Sequence, residues 1–149
     1  MNMRTRCVIL VFFTVLLCCC VFSCGKKEEK TASFDFLDSE FTVRQTHEQS
    51  YVLDARGKIR NSSPHDVKNV VVTGYCRSCV LEFTARAWFV SDTEKMPSQV
   101  ARIGYLAAGA TQDFRFDEVA FYFTHDKQPP DHIPEMIEMK VDSYEILER

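Results

Sequence analysis

The chain has 149 residues, enough for one domain after removal of a leader, and 46% of them are apolar, which permits a packed core. The formal net charge is −3. Arg4 and Arg6 are the charged residues that precede Cys24, so without them 16 basic residues remain against 21 acidic ones. This acidic balance and the lack of a basic patch exclude a nucleic-acid-binding role.

The first 24 residues have the composition of an export signal. Arg4 and Arg6 precede an apolar run over residues 8–22. The run suits a signal-peptide core and is short for a membrane span, which needs roughly 20 apolar residues. It ends in Val21-Phe22-Ser23-Cys24, and a charged stretch follows. These four residues resemble a bacterial lipobox, with an aliphatic residue at −3, a small residue at −1 and Cys at +1.

The lipobox resemblance implies a lipid anchor on Cys24. It implies transfer of diacylglycerol to the Cys24 thiol, cleavage before Cys24 and acylation of the new amine, typically with palmitate. Two or more acyl chains anchor a protein stably, whereas a single chain holds it only marginally. Gly25 at +2 is not Asp, which by analogy with enteric bacteria favours the outer membrane over the inner one. An uncleaved N-terminal anchor helix is the alternative.

The sequence predicts three parts: a signal peptide at 1–23, a lipidated flexible tether at 24–33 and one folded domain at 34–149. The stretch after Cys24 is polar and charged and lacks apolar periodicity, as a tether does. Nine residues span at most about 30 Å when fully extended. The domain would therefore stay near the bilayer, on the periplasmic or surface face of the cell envelope.

The folded part alternates apolar and polar residues with period two, which indicates strands. Turn-forming residues separate the segments. About seven short strands predict an all-β fold, an antiparallel immunoglobulin-like β-sandwich. The predicted strands cover residues 41–45, 51–60, 67–76, 81–90, 100–106, 113–116 with 119–123, and the segment from 137 onward.

The alternation also predicts which side chains point into the core. From Leu81 it directs Phe83 and Phe89 to one face and Trp88 to the polar face. In the strand after Ala110 it directs Phe121 and Phe123 inward, with the preceding phenylalanines. A helix could be fitted only to short pieces such as residues 97–105.

Three stretches together resemble the FxLYD-like β-sandwich domains of bacterial envelope lipoproteins. They are Gly57-Lys58-Ile59-Arg60-Asn61-Ser62-Ser63, the valine strand at 67–72, and residues 103–111 leading to Phe114 and Phe116. The resemblance covers roughly residues 51–116. Its motifs are turn and core positions, so it implies a fold and carries no active site to this chain.

Cys76-Arg77-Ser78-Cys79 is the one compact group that could carry chemistry. Export to an oxidising compartment favours a disulfide that pins a tight turn. A redox pair would need a helix after the motif to lower a thiol pKa, and the sequence after Cys79 alternates like a strand. A zinc site would need further ligands, such as His65 or His125. Two free thiols are the remaining alternative.

Other polar groups favour ordinary surface roles. His125-Asp126 and Asp131-His132 resemble halves of an acid–base pair, but neither has a nucleophile in a recognisable elbow. Four acidic residues lack the fixed spacing of a calcium loop: Asp113, Asp117, Glu118 and Asp126. Asn61-Ser62-Ser63 matches a glycosylation sequon, which is seldom used in a bacterial lipoprotein.

The sequence therefore predicts an anchored envelope lipoprotein that acts as a binding or structural module without catalysis or cofactor. The expected partners are the membrane, through the lipid on Cys24, and other envelope proteins. No small-molecule substrate follows from the residues. The alternative function is a redox or metal-handling lipoprotein that uses Cys76 and Cys79.

Overall fold

The computed structural model describes residues 30–90 and 94–148. Residues from Thr31 onward form one compact unit. The unit contains seven strands: β1 Phe34–His47, β2 Ser50–Asn61, β3 Val67–Cys76, β4 Trp88–Phe89, β5 Val100–Leu106, β6 Thr111–Phe123 and β7 Ile137–Ile146. A 3-10 turn, Pro97–Gln99, precedes β5. In the part of the chain that the structure describes, no helix could cross a membrane.

The strands form two antiparallel sheets that pack as a sandwich. The four-stranded sheet has the order β1-β2-β6-β4, and the three-stranded sheet has the order β5-β3-β7. A division into four and three strands is that of the smaller immunoglobulin-type sandwiches. The predicted all-β antiparallel sandwich of about seven strands is confirmed.

The core lies between β2 and β6 on one side and β3 and β5 on the other. The side chains of Leu53, Ile59, Val70 and Val72 are fully buried. Val70 and Val72 belong to the valine run of β3. β3 is the central strand of its sheet, with β5 on one side and β7 on the other. The expectation of a central strand at this run is confirmed.

The predicted strand over residues 81–90 is wrong for most of its length. Only Trp88 and Phe89 pair with β6, opposite Tyr122 and Phe121. Residues 81–87 run as bends and turns, and Arg86 has a positive φ of 61° that no regular strand contains. Tertiary contacts override the alternation here, because the segment must cross from the three-stranded sheet to the four-stranded one.

The side of Trp88 was also predicted wrongly. Its indole is only 7% exposed and belongs to the core cluster. The indole nitrogen donates to the backbone oxygen of His132 at 2.8 Å. A buried Trp needs such a partner for its N–H group.

A β-bulge in β6 reverses the alternation that the sequence predicts. Between the pairs Ala55–Phe116 and Leu53–Ala120 the register shifts, and Glu118 has a positive φ of 63°. The backbone amide of Glu118 donates to the carboxylate of Asp54 at 3.1 Å. Bulges of this kind redirect the side chains that follow them. Phe121 and Phe123 therefore point away from the core, against the prediction.

Asp54 is held in place by Arg44 of β1. The Arg44 guanidinium donates to both carboxylate oxygens, at 2.6 and 3.0 Å. The Asp54 residue is only 7% exposed, so its charge requires these donors. The same hydrogen bond, followed by the opposite charge, raises the pKa of Arg44 above its ordinary value.

Asn61 joins three chain segments at the end of the sandwich where β1 begins. Its side-chain nitrogen donates to the backbone oxygens of His65, Leu106 and Ala107, at 2.8, 3.2 and 3.2 Å. Its side-chain oxygen accepts from the hydroxyl and the backbone amide of Ser63. Asn61 is fully buried. This amide is therefore occupied in the folded domain, which excludes it as a glycan acceptor there.

Packing or backbone conformation requires glycine at two positions in the stretches that resemble FxLYD-like domains. A Cβ added at Gly57 would lie 3.0 Å from the Phe114 ring and 3.1 Å from the backbone of Ser39. Gly109 has a positive φ of 74° in the turn before β6, where its amide donates to the Asn61 carbonyl. These positions set turns and close packing and form no site.

Candidate functional site

The predicted lipid site, Cys24, lies outside the described residues. Cys76 and Cys79, the two cysteines among the described residues, form a disulfide with their Cα atoms 5.4 Å apart. Cys76 is the last residue of β3 and is 8% exposed. The disulfide therefore fixes the point where the chain leaves the three-stranded sheet and begins its crossing toward β4.

The described residues around the disulfide include no helix N-terminus and no cluster of metal ligands. The residues after Cys79 run as bends toward β4, so no helix N-terminus faces the sulfur atoms. In the described ranges, no three His, Cys, Asp or Glu side chains come together as a metal site. His65 lies in the turn before β3 and Cys76 at its other end, about 30 Å away for a ten-residue strand.

The remaining His and acidic candidates are spread over separate positions. The His125 ring packs edge-on against Phe123 at 5.2 Å, while His132 contributes only its backbone oxygen, to Trp88. Asp117 pairs with Arg115 at 3.6 Å, and Asp126 accepts from the Thr124 hydroxyl. That hydrogen bond lowers the pKa of Asp126. These contacts are those of surface polar groups, and they assemble neither an acid–base pair nor a calcium loop.

The structure instead brings four phenylalanines together on the outer face of the four-stranded sheet. The ring of Phe83 lies 5.2 Å from Phe89 and 5.3 Å from Phe123, and Phe89 stacks on Phe121 at 5.8 Å between centroids. None of the four belongs to the core cluster. We call Phe83, Phe89, Phe121 and Phe123 the aromatic patch.

Further exposed apolar side chains lie on the segment that carries Phe83 and on the loop that follows Phe123. Phe83 and Leu81 are each 63% exposed, and Val80 is 41% exposed. Val80 pairs with the edge of β4, where its amide donates to the Trp88 carbonyl at 3.0 Å. The loop from β6 to β7 adds Ile133 and Met136, at 41% and 58% exposed. The four rings of the aromatic patch are linked by ring contacts, and contiguous exposed apolar side chains mark interaction surfaces.

Two segments carry these side chains: residues 77–87, which we call the crossing segment, and the loop between β6 and β7. Hydrogen bonds join the two segments. The backbone amide of Arg77 donates to the Met136 carbonyl at 2.8 Å, and the amide of Met136 donates to the Ser78 hydroxyl at 3.2 Å. The Arg86 amide donates to the Phe123 carbonyl at 2.8 Å. The crossing segment is therefore fixed to both the loop and β6, and the patch is presented on ordered backbone.

The two segments that carry the exposed apolar side chains also carry unpaired carboxylates. We call these carboxylates the acidic rim. Each cation on the two segments already has a partner: Arg77 with Glu138, Arg86 with Asp126 and Lys127 with Glu48. By contrast, three carboxylates on the same segments have no cationic partner among the described residues: Glu82, Asp131 and Glu135. Among the described residues, these two segments therefore carry unpaired negative charge and no unpaired Lys or Arg.

Sequence reasoning missed the aromatic patch for one physical reason. The phenylalanines of β6 and of the crossing segment were assigned to the core by alternation, which assumes an uninterrupted strand. The bulge at Glu118 and the turn at Arg86 break that assumption. The adjacent acidic pair Asp117-Glu118, in the middle of an aromatic strand, was the signal that could have revealed the bulge.

No family model, curated protein or solved structure matches this chain significantly.

Proposed function

We propose that this chain is a lipid-anchored envelope protein whose β-sandwich, of the FxLYD-like kind, binds another envelope protein through the aromatic patch. The observation that carries the proposal is the exposed ring of Phe83, 63% exposed and in contact with Phe89 and Phe123, on a segment whose backbone is hydrogen-bonded to β4 and β6. Lipid on Cys24 would hold the domain at the bilayer, and the patch would provide the contact.

The charge of the rim defines the chemistry of the partner. Glu82 lies between Leu81 and Phe83, and its carboxylate has no cation beside it in the described part of the chain. A partner surface that combines apolar side chains with Lys or Arg would bury the rings and neutralise the rim. Electrostatic complementarity of this kind contributes mainly to specificity and to the association rate.

The position of the patch leaves it accessible in an anchored chain. Phe34 begins β1 at the Asn61 end of the sandwich, and the patch lies near the opposite end of β2, where Ser50 pairs with Phe123. A tether that joins the domain before Phe34 would therefore not cover the phenylalanines.

Designed peptides test the proposed partner chemistry. We would measure binding of the full chain to an extended peptide that alternates Leu with Lys, and to the same peptide with Glu in place of Lys. The Lys peptide should bind and the Glu peptide should not, and Phe83→Ser should weaken binding of the Lys peptide. Equal binding of both peptides, or Lys-peptide binding that is indifferent to Phe83→Ser, would contradict the proposal.

The anchor has its own test. Replacement of Cys24 by Ala should release the protein from the membrane fraction and abolish incorporation of labelled palmitate. Cys7→Ala, which changes a cysteine of the leader, is the matched control and should leave both unchanged. Palmitate incorporation into the Cys24→Ala variant would show that the anchor site is elsewhere.

A further inference from the structure

One side of the sandwich is less completely closed than the other. The inward apolar side chains of β3 and β5 are buried, with Val70 and Val72 fully inaccessible and Ile103 only 3% exposed. The inward side chains of β7 are all half-buried: Ile137, Met139, Val141, Tyr144 and Ile146. In the described ranges β7 has β3 as its one strand neighbour, so its other edge presents unpaired backbone groups.

The edge of β1 lies on the same side, as the contact of the Phe34 and Tyr144 rings at 5.1 Å shows, but it is poorly suited to pairing. The register of β1 is interrupted between Leu37 and Glu40, and Asp38 has a positive φ of 52°. Bulges and charges on an edge strand discourage pairing with another chain. By contrast, β7 pairs with β3 without interruption from Ile137 to Val141.

The residues from Ile137 to Val141 are complementary to a second copy of the same strand that runs in the opposite direction. Ile137-Glu138-Met139-Lys140-Val141 alternates apolar and charged residues, with an acid and a base placed symmetrically about Met139. In an antiparallel pair centred on Met139, Ile137 lies opposite Val141 and Glu138 lies opposite Lys140, twice over. Directly opposite residues in such a pair have Cβ atoms about 5 Å apart, close enough for ion pairs.

We propose that two copies of this chain associate through β7, in antiparallel register centred on Met139. The two three-stranded sheets then become one six-stranded sheet. The apolar side chains of the two strands cover the side of each sandwich that is half-open in the single copy. The occupant of this edge is a second copy rather than an unrelated strand, because the charge pattern of β7 is satisfied by β7 itself.

The contacts of the two charged residues support this pairing. Among the described residues Lys140 has no carboxylate partner, and its ammonium lies 5.8 Å from the centre of the Tyr75 ring. Glu138 accepts from Arg77 at 2.6 Å on the same outer face. In the paired form each Lys140 gains the carboxylate of the other copy, and each Glu138 lies between two cations. The irregularity in the β3–β7 pairing beyond Val141 limits the regular contact to five residues on each strand.

Charge reversal tests the register. Glu138→Lys makes both charged positions of the Ile137–Val141 stretch basic, and Lys140→Glu makes both acidic. Each variant alone places like charges opposite each other twice. The dissociation constant of the dimer, measured by sedimentation equilibrium of the full chain in detergent, should therefore rise roughly tenfold in each variant. The two variants mixed together should form a heterodimer that is as tight as the wild-type dimer.

Arg102→Glu provides the control, because it introduces an acidic side chain on β5, at the opposite edge of the same sheet. It should leave the wild-type dimer unchanged, and it should gain no association with Glu138→Lys. A wild-type chain that sediments as a monomer at every concentration overturns the proposal. So does a mixture of the two reversed variants that fails to recover association while each retains the wild-type thermal midpoint.

Discussion

The indole nitrogen of Trp88 donates to the backbone oxygen of His132 at 2.8 Å, and this hydrogen bond ties the short edge strand β4 to the loop that leads to β7. The two residues are 44 positions apart in the sequence. The loop contains no regular strand or helix between Phe123 and Ile137, so its position depends on a few such contacts.

Replacement of Trp88 should destabilise the domain and loosen this loop. Trp88→Ala removes a side chain that is 7% exposed and should lower the free energy of unfolding by about 3–5 kcal/mol. Trp88→Phe keeps a ring but loses the donor, and should cost about 1 kcal/mol. Chemical denaturation gives both values. Leu81→Ala, at an exposed position on the same segment, should change stability by less than about 0.5 kcal/mol. A similar loss in all three variants would contradict this account.

We call Asn61 and the three carbonyl groups that it binds the Asn61 corner. Substitution of Asn61 should destabilise the domain more than most other substitutions. Asn61→Asp keeps the shape of the side chain but replaces a donor that serves three carbonyl oxygens with an acceptor. We expect a loss of roughly 3 kcal/mol or more in the free energy of unfolding, because buried carbonyl groups then lack a partner. Ser62→Ala is the control, since its exposed hydroxyl bonds only to the hydroxyl of Ser33. Thermal denaturation of the two variants should separate them clearly.

Two arginine–carboxylate pairs should contribute differently to the free energy of unfolding, because the carboxylate of one pair is buried. In Arg44–Asp54 the acid side chain is 9% exposed, whereas in Arg56–Glu40 the two side chains are 63% and 57% exposed. Arg44→Gln should cost about 1–2 kcal/mol, a figure reduced because Arg44 itself reaches solvent. Arg56→Gln should cost less than about 0.5 kcal/mol. Equal costs in urea denaturation would mean that the burial of Asp54 is unimportant.

The stability of the domain should fall in acid partly through Glu145. The side-chain amide of Asn69, and then Lys68, hold the pKa of Glu145 below its ordinary value of 4.5. A carboxylate with a lowered pKa stabilises the fold above its unfolded value, and this contribution is lost as the pH falls through the folded value. Urea midpoints measured from pH 6 downward should therefore decline below pH 4.5.

Glu145→Gln should flatten that decline, and Asn69→Ala should flatten it in part, because Asn69 supplies the larger of the two causes. If Glu145→Gln keeps the wild-type dependence on pH, the carboxylate does not contribute to acid sensitivity.

The disulfide should contribute little to global stability but more to local order. Closing a ring of four residues corresponds to about 2 kcal/mol in the chain-entropy account. Cys76→Ala with Cys79→Ala should lower the unfolding free energy by about that amount. Amide hydrogen exchange should accelerate most at residues 80–87, where bends and turns replace paired strand. Uniform acceleration across β2 and β3 would instead show that the disulfide supports the whole core.

The elements that the sequence predicted well are those in which one physical rule dominates. β2, β3, β5 and β7 are apolar-rich segments bounded by turn-forming residues, so their predicted bounds agree with the structure within a residue or two. The first strand begins at Phe34, seven residues before the predicted start at Phe41, because Phe34 and Phe36 pair with the end of β2 beyond the Asp38 bulge. Alternation could not extend through that irregularity.

Alternation placed the phenylalanines of the aromatic patch on the wrong face because it does not locate the bulge that sets the register of β6. An aromatic run such as Phe121-Tyr122-Phe123 is apolar on both faces, and only the register set by Asp54 and Glu118 decides which rings are exposed. The compact Cys76–Cys79 spacing, by contrast, is local, and geometry alone brings the two sulfur atoms within reach.

The Asn61 corner also bears on the order in which the domain folds. Asn61 emerges well before Leu106 and Ala107, the residues 45 and 46 positions later whose carbonyl groups its amide requires. Until β5 docks, burial of that amide is unfavourable, so the turn between β2 and β3 cannot close in its final form. Contacts this distant in sequence form late and slowly. During synthesis from the N-terminus, the β1–β2 hairpin can therefore form early, whereas the Asn61 side chain finds its partners only after residue 107 has been made.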